Sequence, residues 1–136
     1  MFSILVVDDQ KELRDQILCI LKDRGYDAEE ACDGKEAADK LKHKEYALLL
    51  CDVQMPNLTG LDLLKLIRQE EYSTVIALIT AHASVRDAVE AIREGAFDYV
   101  EKPLDEQRLM DMVEKAKLAY EMLEKLQYSA PVMSSG

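Results

Sequence analysis

Four short apolar runs in this chain each lead directly into polar or charged side chains. Runs of this kind are typical of strands buried on both faces, which occur mainly in parallel sheets. If the four strands are parallel, their carboxyl ends lie at one edge of one sheet, where the polar groups meet. The sequence therefore predicts a site of three acids, a hydroxyl and an amine. The runs are residues 4–7, 47–51, 75–79 and 97–100, and the polar groups are Asp8, Asp9, Asp52, Thr80 and Lys102.

Helical patterns separate these strands, and a weaker strand is predicted at residues 26–31. Five repeats of strand then helix indicate βαβ units, hence an α/β fold with a doubly wound, five-stranded parallel sheet covered by helices on both faces. In the strand order 2-1-3-4-5, the acid-bearing strands one and three are neighbours at the switch point where ligands bind. Capping residues mark the helix ends: Gly25, Asp33 with Glu36 as a capping box, Ser84 with Asp87, and Gly95.

Composition limits the functions open to the chain. Its 136 residues suit one domain, and 17 basic against 27 acidic residues argue against direct nucleic-acid binding. No segment approaches the roughly 20 apolar residues that span a bilayer, so we expect no membrane partner. The N-terminus lacks a signal-peptide pattern, and the three cysteines lack metal-ligand spacing, so we expect a cytoplasmic protein with reduced cysteines.

The chemistry of the predicted site depends on its carboxylates. Adjacent like charges such as Asp8 and Asp9 favour a hard cation between them, and Mg²⁺ prefers oxygen ligands. The pair alone would equally suit a helix cap, but Asp52 on another strand favours the metal. Asp52 is a metal ligand or a nucleophile, since a carboxylate can attack a phosphoryl group and hold it as an acyl phosphate. Lys102 and Thr80 would then supply charge and a hydroxyl to the phosphoryl oxygens.

Taken together, the motifs resemble the receiver domain of bacterial two-component response regulators. The resemblance covers roughly residues 2–121 and implies a flavodoxin-like fold with an extended C-terminal helix. Residues 95–105 most resemble receivers of the nitrogen-regulation class, which are attached to an ATPase that activates alternative-sigma-factor transcription and to a DNA-binding domain. The matching pieces are Asp8-Asp9, Asp52 with Met55-Pro56 and Gly60, Thr80-Ala81 and Lys102-Pro103.

The resemblance implies a role for each of these residues. Asp52 would be the phosphoacceptor, taking a phosphoryl group from a sensor histidine kinase, in a switch that does not turn over a metabolite. Thr80 and Lys102 would contact the phosphoryl oxygens, and the Lys102–Pro103 peptide would be cis. Asp9, Asp52 and the backbone carbonyl of Gln54 would bind Mg²⁺, with Asp8 assisting through a water molecule.

Three further positions have two readings each. Gln54 and His82 lie two residues beyond Asp52 and Thr80, at the mouth of the site in receivers, where they would admit or block water; solvated loop residues without a kinetic role are the alternative. In receivers an aromatic residue at the position of Tyr99 swings between outward and inward positions as Thr80 moves. A half-buried strand tyrosine without a switching role is the alternative.

The last helix is predicted to carry a dimer contact. We expect its first part to pack on the sheet and the part beyond about Lys117 to pair with a second subunit. The homodimer would use the fourth helix, fifth strand, fifth helix and extended last helix; a single helix with a frayed end is the alternative. Residues 1–121 would form the receiver, and residues 122–136 the end of a linker helix and a flexible tail. Its apolar residues at heptad spacing are Leu109, Met112, Ala116, Ala119, Leu123 and Leu126.

Three other functions compete with a receiver that controls a transcriptional output domain. A phosphohydrolase with an aspartate nucleophile would place a second acid where Gln54 stands. A phosphate-independent interaction module would be expected to lack one of Asp9, Asp52, Thr80 or Lys102, and all are present. A stand-alone phosphoryl shuttle would not need the extended last helix.

Overall fold

The computed structural model describes the backbone of residues 2–134 and the side chains of residues 2–126. Strands and helices alternate five times, as predicted. The elements are β1 (Ser3–Val7), α1 (Lys11–Asp23), β2 (Asp27–Ala31), α2 (Gly34–His43), β3 (Leu48–Asp52), α3 (Gly60–Gln69), β4 (Val75–Thr80), α4 (Val85–Arg93), β5 (Asp98–Glu101) and α5 (Glu106–Ser134).

The five strands form one parallel sheet in the order β2-β1-β3-β4-β5, so the predicted fold and topology are confirmed. Val7 is paired with Cys51, and Thr80 with Glu101. This register ends the strands at the same edge of the sheet. The polar residues that follow them are therefore brought together.

Both faces of the sheet are buried, which explains the unbroken apolar runs. Along β1, Ile4 and Val6 pack in the layer formed with α1 and α5, whereas Leu5 and Val7 pack in the layer formed with α2, α3 and α4. Alternate residues of a strand point to opposite faces, so a strand covered on both sides needs an apolar residue at every position. The strand interiors thus hold the core, and polar chemistry is left to the strand ends.

Helix caps differ from the prediction in one detail. Asp33 caps α2 by accepting a hydrogen bond from the Glu36 N–H at 2.8 Å, as expected. The Glu36 carboxylate, however, accepts from the N–H of Cys32 rather than from that of Asp33, so the predicted reciprocal capping box is wrong. A complete capping box occurs at the start of α3, between Thr59 and Asp62.

The extended last helix is present, and its predicted heptad seam is only partly a surface feature. Leu109, Met112 and Ala116 are buried in the core, whereas Leu123 and Leu126 are exposed. Exposed Leu118 and Met122 add an apolar stripe that the seam did not include. The helix extends to Ser134 and so includes part of the predicted tail, whose residues 135 and 136 lie outside the described residues. The division at residue 121 stays a prediction.

Within the described residues, no helix combines the length and the hydropathy needed to cross a membrane.

Two buried tyrosines predict a loss of stability at high pH. Burial raises the pKa of Tyr46 to about 12, and its hydrogen bond to Glu29 adds to the rise; burial likewise raises the pKa of Tyr120 to about 12. Unfolded tyrosines lose their proton near a pKa of about 10. The stabilisation is therefore complete below about pH 10 and is lost as the pH rises through about 12, on the order of 2 kcal/mol per tyrosine.

Urea unfolding at several pH values between about 9 and 12 measures this loss. Tyr46→Phe should remove its own share, so that stability falls less steeply with pH than in the wild type. Equal slopes for the two proteins would show that Tyr46 does not contribute.

Candidate functional site

Four elements deliver the predicted site residues to the carboxyl edge of the sheet. Asp8 follows β1, Asp52 ends β3, Thr80 ends β4 and Lys102 follows β5. Asp8, Asp52 and Thr80 are buried, while Asp9 is exposed. A buried carboxylate is costly unless it is paired and hydrogen-bonded, so two of them side by side require a nearby positive group.

Lys102 is that positive group. Its Nζ donates to Asp52 Oδ2 at 3.0 Å and to Asp8 Oδ2 at 3.2 Å, and its side chain is only 14% exposed. Burial alone would lower the pKa of Lys102, but the hydrogen bonds and charges of Asp52 and Asp8 outweigh it and raise that pKa. Lys102 is therefore a charged ammonium that holds both carboxylates. The Lys102–Pro103 peptide is cis, as the resemblance implied.

The second oxygen of each buried carboxylate is held by its own loop. Asp52 Oδ1 accepts from the Gln54 N–H at 3.0 Å, and Asp8 Oδ1 accepts from the Gln10 N–H at 2.8 Å. Each carboxylate is thus fixed at both oxygens, once by the backbone and once by Lys102. Fixed orientation before reaction is a general requirement for positioning catalytic groups.

A group of carboxylates here suits a metal ion. One oxygen from each of Asp8, Asp9 and Asp52 lies within 4.8 Å of the others. An all-oxygen set of carboxylates is the chemistry that Mg²⁺ and Ca²⁺ prefer. Gln54 lies two residues beyond Asp52 in the same loop, and the role of its carbonyl stays a prediction.

Thr80 and Tyr99 lie close together beneath the loop between β4 and α4. Thr80 Oγ1 accepts from the His82 N–H at 3.2 Å. The Tyr99 hydroxyl is buried and has no hydrogen-bond partner among the described residues. Burial raises the pKa of Tyr99, and the negative charge of Asp87 adds to the rise. The Ser84 backbone and Thr80 act to lower this pKa, although neither makes a hydrogen bond to the hydroxyl. Tyr99 is thus a half-buried residue with a buried hydroxyl, and its switching role stays a prediction.

Two contacts at the site were not foreseen. The Glu101 carboxylate accepts from the Ala83 N–H at 3.1 Å and ties the β4–α4 loop to β5. Arg14, buried at the start of α1, donates to the backbone carbonyl of Asp8. Glu101 ends β5, but no motif distinguished it from the neighbouring Lys102, and Arg14 lies within a helix without a recognisable motif. Gln54 and His82 are exposed, and their kinetic roles stay predictions.

Gly60 allows α3 to approach the acceptor strand. A Cβ at this position would lie 2.8 Å from the Asp52 carbonyl oxygen and 2.8 Å from a methyl carbon of Leu78. Gly60→Ala is therefore expected to lower the free energy of unfolding by about 1–3 kcal/mol and to displace the Asp52 loop.

Gly34→Ala is the matched comparison, because its Cβ would meet the Leu58 carbonyl oxygen rather than that of Asp52. Chemical denaturation should show both variants destabilised, and Mg²⁺ titration should show weakened binding for Gly60→Ala in particular. Unchanged metal affinity in Gly60→Ala would mean that the close approach serves packing only.

Comparison with known proteins places the chain among response regulators. The family model "Response regulator receiver domain" matches residues 4–114. The transcriptional regulatory protein ZraR of Salmonella typhimurium is 40% identical over 114 residues, which cover 84% of this chain and 26% of that protein. The nitrogen assimilation regulatory protein NtrX of Azorhizobium caulinodans is 34% identical over 135 residues, which cover 95% of this chain and 30% of that protein. The chain thus spans about a quarter to a third of the length of these relatives.

Among solved structures, the solution structure of the beryllofluoride-activated NtrC4 receiver domain dimer matches with a TM-score of 0.83 and 32% identity. The match covers 88% of this chain and 99% of that one. The sequence relatives and the structural match therefore indicate the same family and the same fold.

Proposed function

Because this chain belongs to the response regulator receiver domain family of two-component systems, we propose that Asp52 accepts a phosphoryl group from a sensor histidine kinase. The observation that carries the proposal is the carboxylate cluster at the carboxyl edge of the sheet: Asp8 and Asp52 share the Lys102 ammonium, and an oxygen of Asp9 lies within 4.8 Å of oxygens of both. Its relatives are transcriptional regulators and match the nitrogen-regulation class predicted from residues 95–105. The chain would act as a phosphorylation switch rather than as an enzyme that turns over a metabolite.

The transfer would proceed in one displacement at Asp52. A carboxylate oxygen forms the new O–P bond as the P–N bond to the kinase histidine breaks, and the imidazole leaves with the bonding electron pair. Lys102, already 3.0 Å from Asp52, would donate to the phosphoryl oxygens, and the Thr80 hydroxyl would donate its proton in a hydrogen bond. Mg²⁺ held by Asp8, Asp9, Asp52 and the Gln54 carbonyl would supply positive charge against those oxygens.

Phosphorylation would be transmitted through Thr80 and Tyr99. A hydrogen bond from Thr80 to the phosphoryl group would draw that hydroxyl away from the His82 N–H and move the β4–α4 loop. Tyr99 lies beneath this loop with an unpaired hydroxyl, so movement there alters the burial of its ring. This couples one added charge to the surface formed by α4, β5 and α5.

Exposed apolar residues on this surface support a homodimer. Val85, Val89 and Ile92 are all exposed on α4, with Val85 at 82%, and they are spaced to lie on one helix face. Contiguous exposed apolar surface commonly marks an interaction site. We place the second copy on this face together with the exposed end of α5, and the output domain in the longer protein.

Ile92→Glu tests this contact. A charge buried in the interface should raise the dimer dissociation constant at least tenfold, because a desolvated unpaired charge is costly. Gln69→Glu is the control, since it adds the same charge at an exposed position of α3. Light scattering of the phosphorylated and unphosphorylated forms measures the mass. Wild-type protein that stays monomeric in both forms, or a dimer indifferent to Ile92→Glu, would contradict the placement.

The proposed function is tested by intact mass spectrometry after incubation with acetyl phosphate, with Mg²⁺ or with EDTA. One phosphoryl group gained only with Mg²⁺ is the expected result. With no gain under either condition, transfer from a phosphorylated histidine kinase decides the matter. Failure there too would favour a phosphate-independent interaction module.

A further inference from the structure

Arg14 is a buried arginine next to the acidic site. It lies near the start of α1 and is 7% exposed. Its Nη1 donates to the Asp8 backbone carbonyl at 2.7 Å, and its Nε donates to a Glu30 carboxylate oxygen at 2.8 Å. The guanidinium therefore joins the loop after β1 to β2, the edge strand beside it. Because burying a charge is costly, this placement calls for a compensating role.

The contact fixes the peptide that carries Asp9. A peptide unit is planar, so holding the Asp8 carbonyl oxygen also sets the direction of the Asp9 N–H and the path of the chain into Asp9. Asp8 is held at three further points. Its N–H donates to the Ala31 carbonyl at 3.3 Å, its Oδ1 accepts from the Gln10 N–H at 2.8 Å, and its Oδ2 accepts from Lys102 Nζ at 3.2 Å. Arg14 thus completes the set of contacts that fixes this loop.

Asp9 depends on this backbone more than the other two acids do. Asp8 and Asp52 are held by Lys102, but in the described part of the chain the Asp9 carboxylate makes no hydrogen bond or ion pair. Its oxygen nevertheless lies within 4.8 Å of oxygens from both other acids. Its position is therefore set through the chain and not through its own side-chain contacts.

We propose that Arg14 is a positioning residue for the metal site: its guanidinium holds the Asp8–Asp9 peptide so that the Asp9 carboxylate faces Asp52 before Mg²⁺ binds. The inference rests on the proposed function, since it assigns a residue to the same site. Groups that orient metal ligands from outside the coordination sphere commonly contribute ten- to a hundredfold to metal affinity.

Two other roles for Arg14 make different predictions. A purely electrostatic guanidinium would repel a cation, so its removal would tighten Mg²⁺ binding. A purely structural link between α1 and β2 would lower stability on removal and leave Mg²⁺ affinity unchanged. Of the three roles, only positioning predicts weaker Mg²⁺ binding. The sign of the change in Mg²⁺ affinity therefore separates the three.

The experiment is an Mg²⁺ titration of the whole chain. Binding is measured by calorimetry and by the amide chemical shifts of the site residues. Arg14→Met should raise the dissociation constant for Mg²⁺ by about ten- to a hundredfold. Arg14→Lys should fall between it and the wild type, because an ammonium keeps the charge but not the two-armed geometry. Lys11→Met is the control: it removes the same charge from the same helix start, where Lys11 is 78% exposed and pairs with Asp15. Its affinity should be unchanged or slightly higher.

Stability in EDTA is measured alongside, so that loss of fold and loss of affinity are separated. Wild-type or tighter Mg²⁺ binding by Arg14→Met overturns the proposal. If that variant does not fold, Glu30→Ala decides, since it frees the guanidinium while retaining it; a few-fold weaker binding supports positioning and an unchanged constant overturns it. Asp9→Asn tests the site itself: if it binds Mg²⁺ like the wild type, the proposed metal site fails, whatever Arg14 does.

Discussion

Asp52→Asn is expected to take up no phosphoryl group from acetyl phosphate while keeping a cooperative fold. The asparagine side chain has nearly the same shape, and its oxygen can still accept from the Gln54 N–H, now 3.0 Å from Asp52 Oδ1. An amide is not a useful nucleophile toward phosphorus, so the acceptor is lost. The change also removes one of the two buried charges that Lys102 holds. The loss of stability is limited because Lys102 keeps Asp8 as its charge partner.

Intact mass spectrometry measures the uptake, and urea unfolding measures the fold. Asp105→Asn is the matched control: the same substitution is made at an exposed carboxylate that caps α5 by accepting from the Arg108 N–H. It should be labelled like the wild type. A phosphoryl group gained by Asp52→Asn would place the acceptor on another residue and sink the assignment.

The sequence predicted the fold and most of the site for one physical reason. Strands buried on both faces are apolar throughout, so the first polar residue marks the strand end, as Asp8 and Asp52 do. Parallel strands then bring those ends together without any further information. The cis Lys102–Pro103 peptide agrees with what the resemblance implied, whereas the pairing of Lys102 with both acids was seen only in the structure.

The features that the sequence could not predict are those that depend on the direction in which a side chain faces. Arg14 is one of several charged residues in an amphipathic helix, and only the fold shows that it reaches the Asp8 carbonyl. Helical periodicity likewise identifies α4 from Val85, Val89 and Ile92 but does not say that these residues face outward. In the structure Ala91 is the buried member of that helix, so a strongly amphipathic pattern here marks a surface and not the core.

Lys102→Ala is expected to destabilise the metal-free protein by about 3–5 kcal/mol, because it leaves the buried carboxylates of Asp8 and Asp52 without their counter-ion. Mg²⁺ should restore much of this loss, since a cation that binds only the folded state stabilises it and now meets less competing positive charge. The variant should still accept some phosphoryl group at Asp52. Phosphorylation of the variant should not alter the surroundings of Tyr99, because the amine that would fix the phosphoryl oxygens relative to Thr80 is gone.

Urea unfolding in EDTA and in Mg²⁺ tests the first part, with Lys11→Ala as a control that removes an exposed lysine paired to Asp15. The control should lose little stability, and equally in both buffers, because an exposed ion pair contributes little. For the second part, the Tyr99 ring resonances are followed on phosphorylation in wild type and variant. Equal destabilisation of Lys102→Ala with and without Mg²⁺ would mean that Mg²⁺ does not replace the lysine as counter-ion of the two carboxylates. A full Tyr99 response in the variant would remove Lys102 from the switch and leave it a charge partner only.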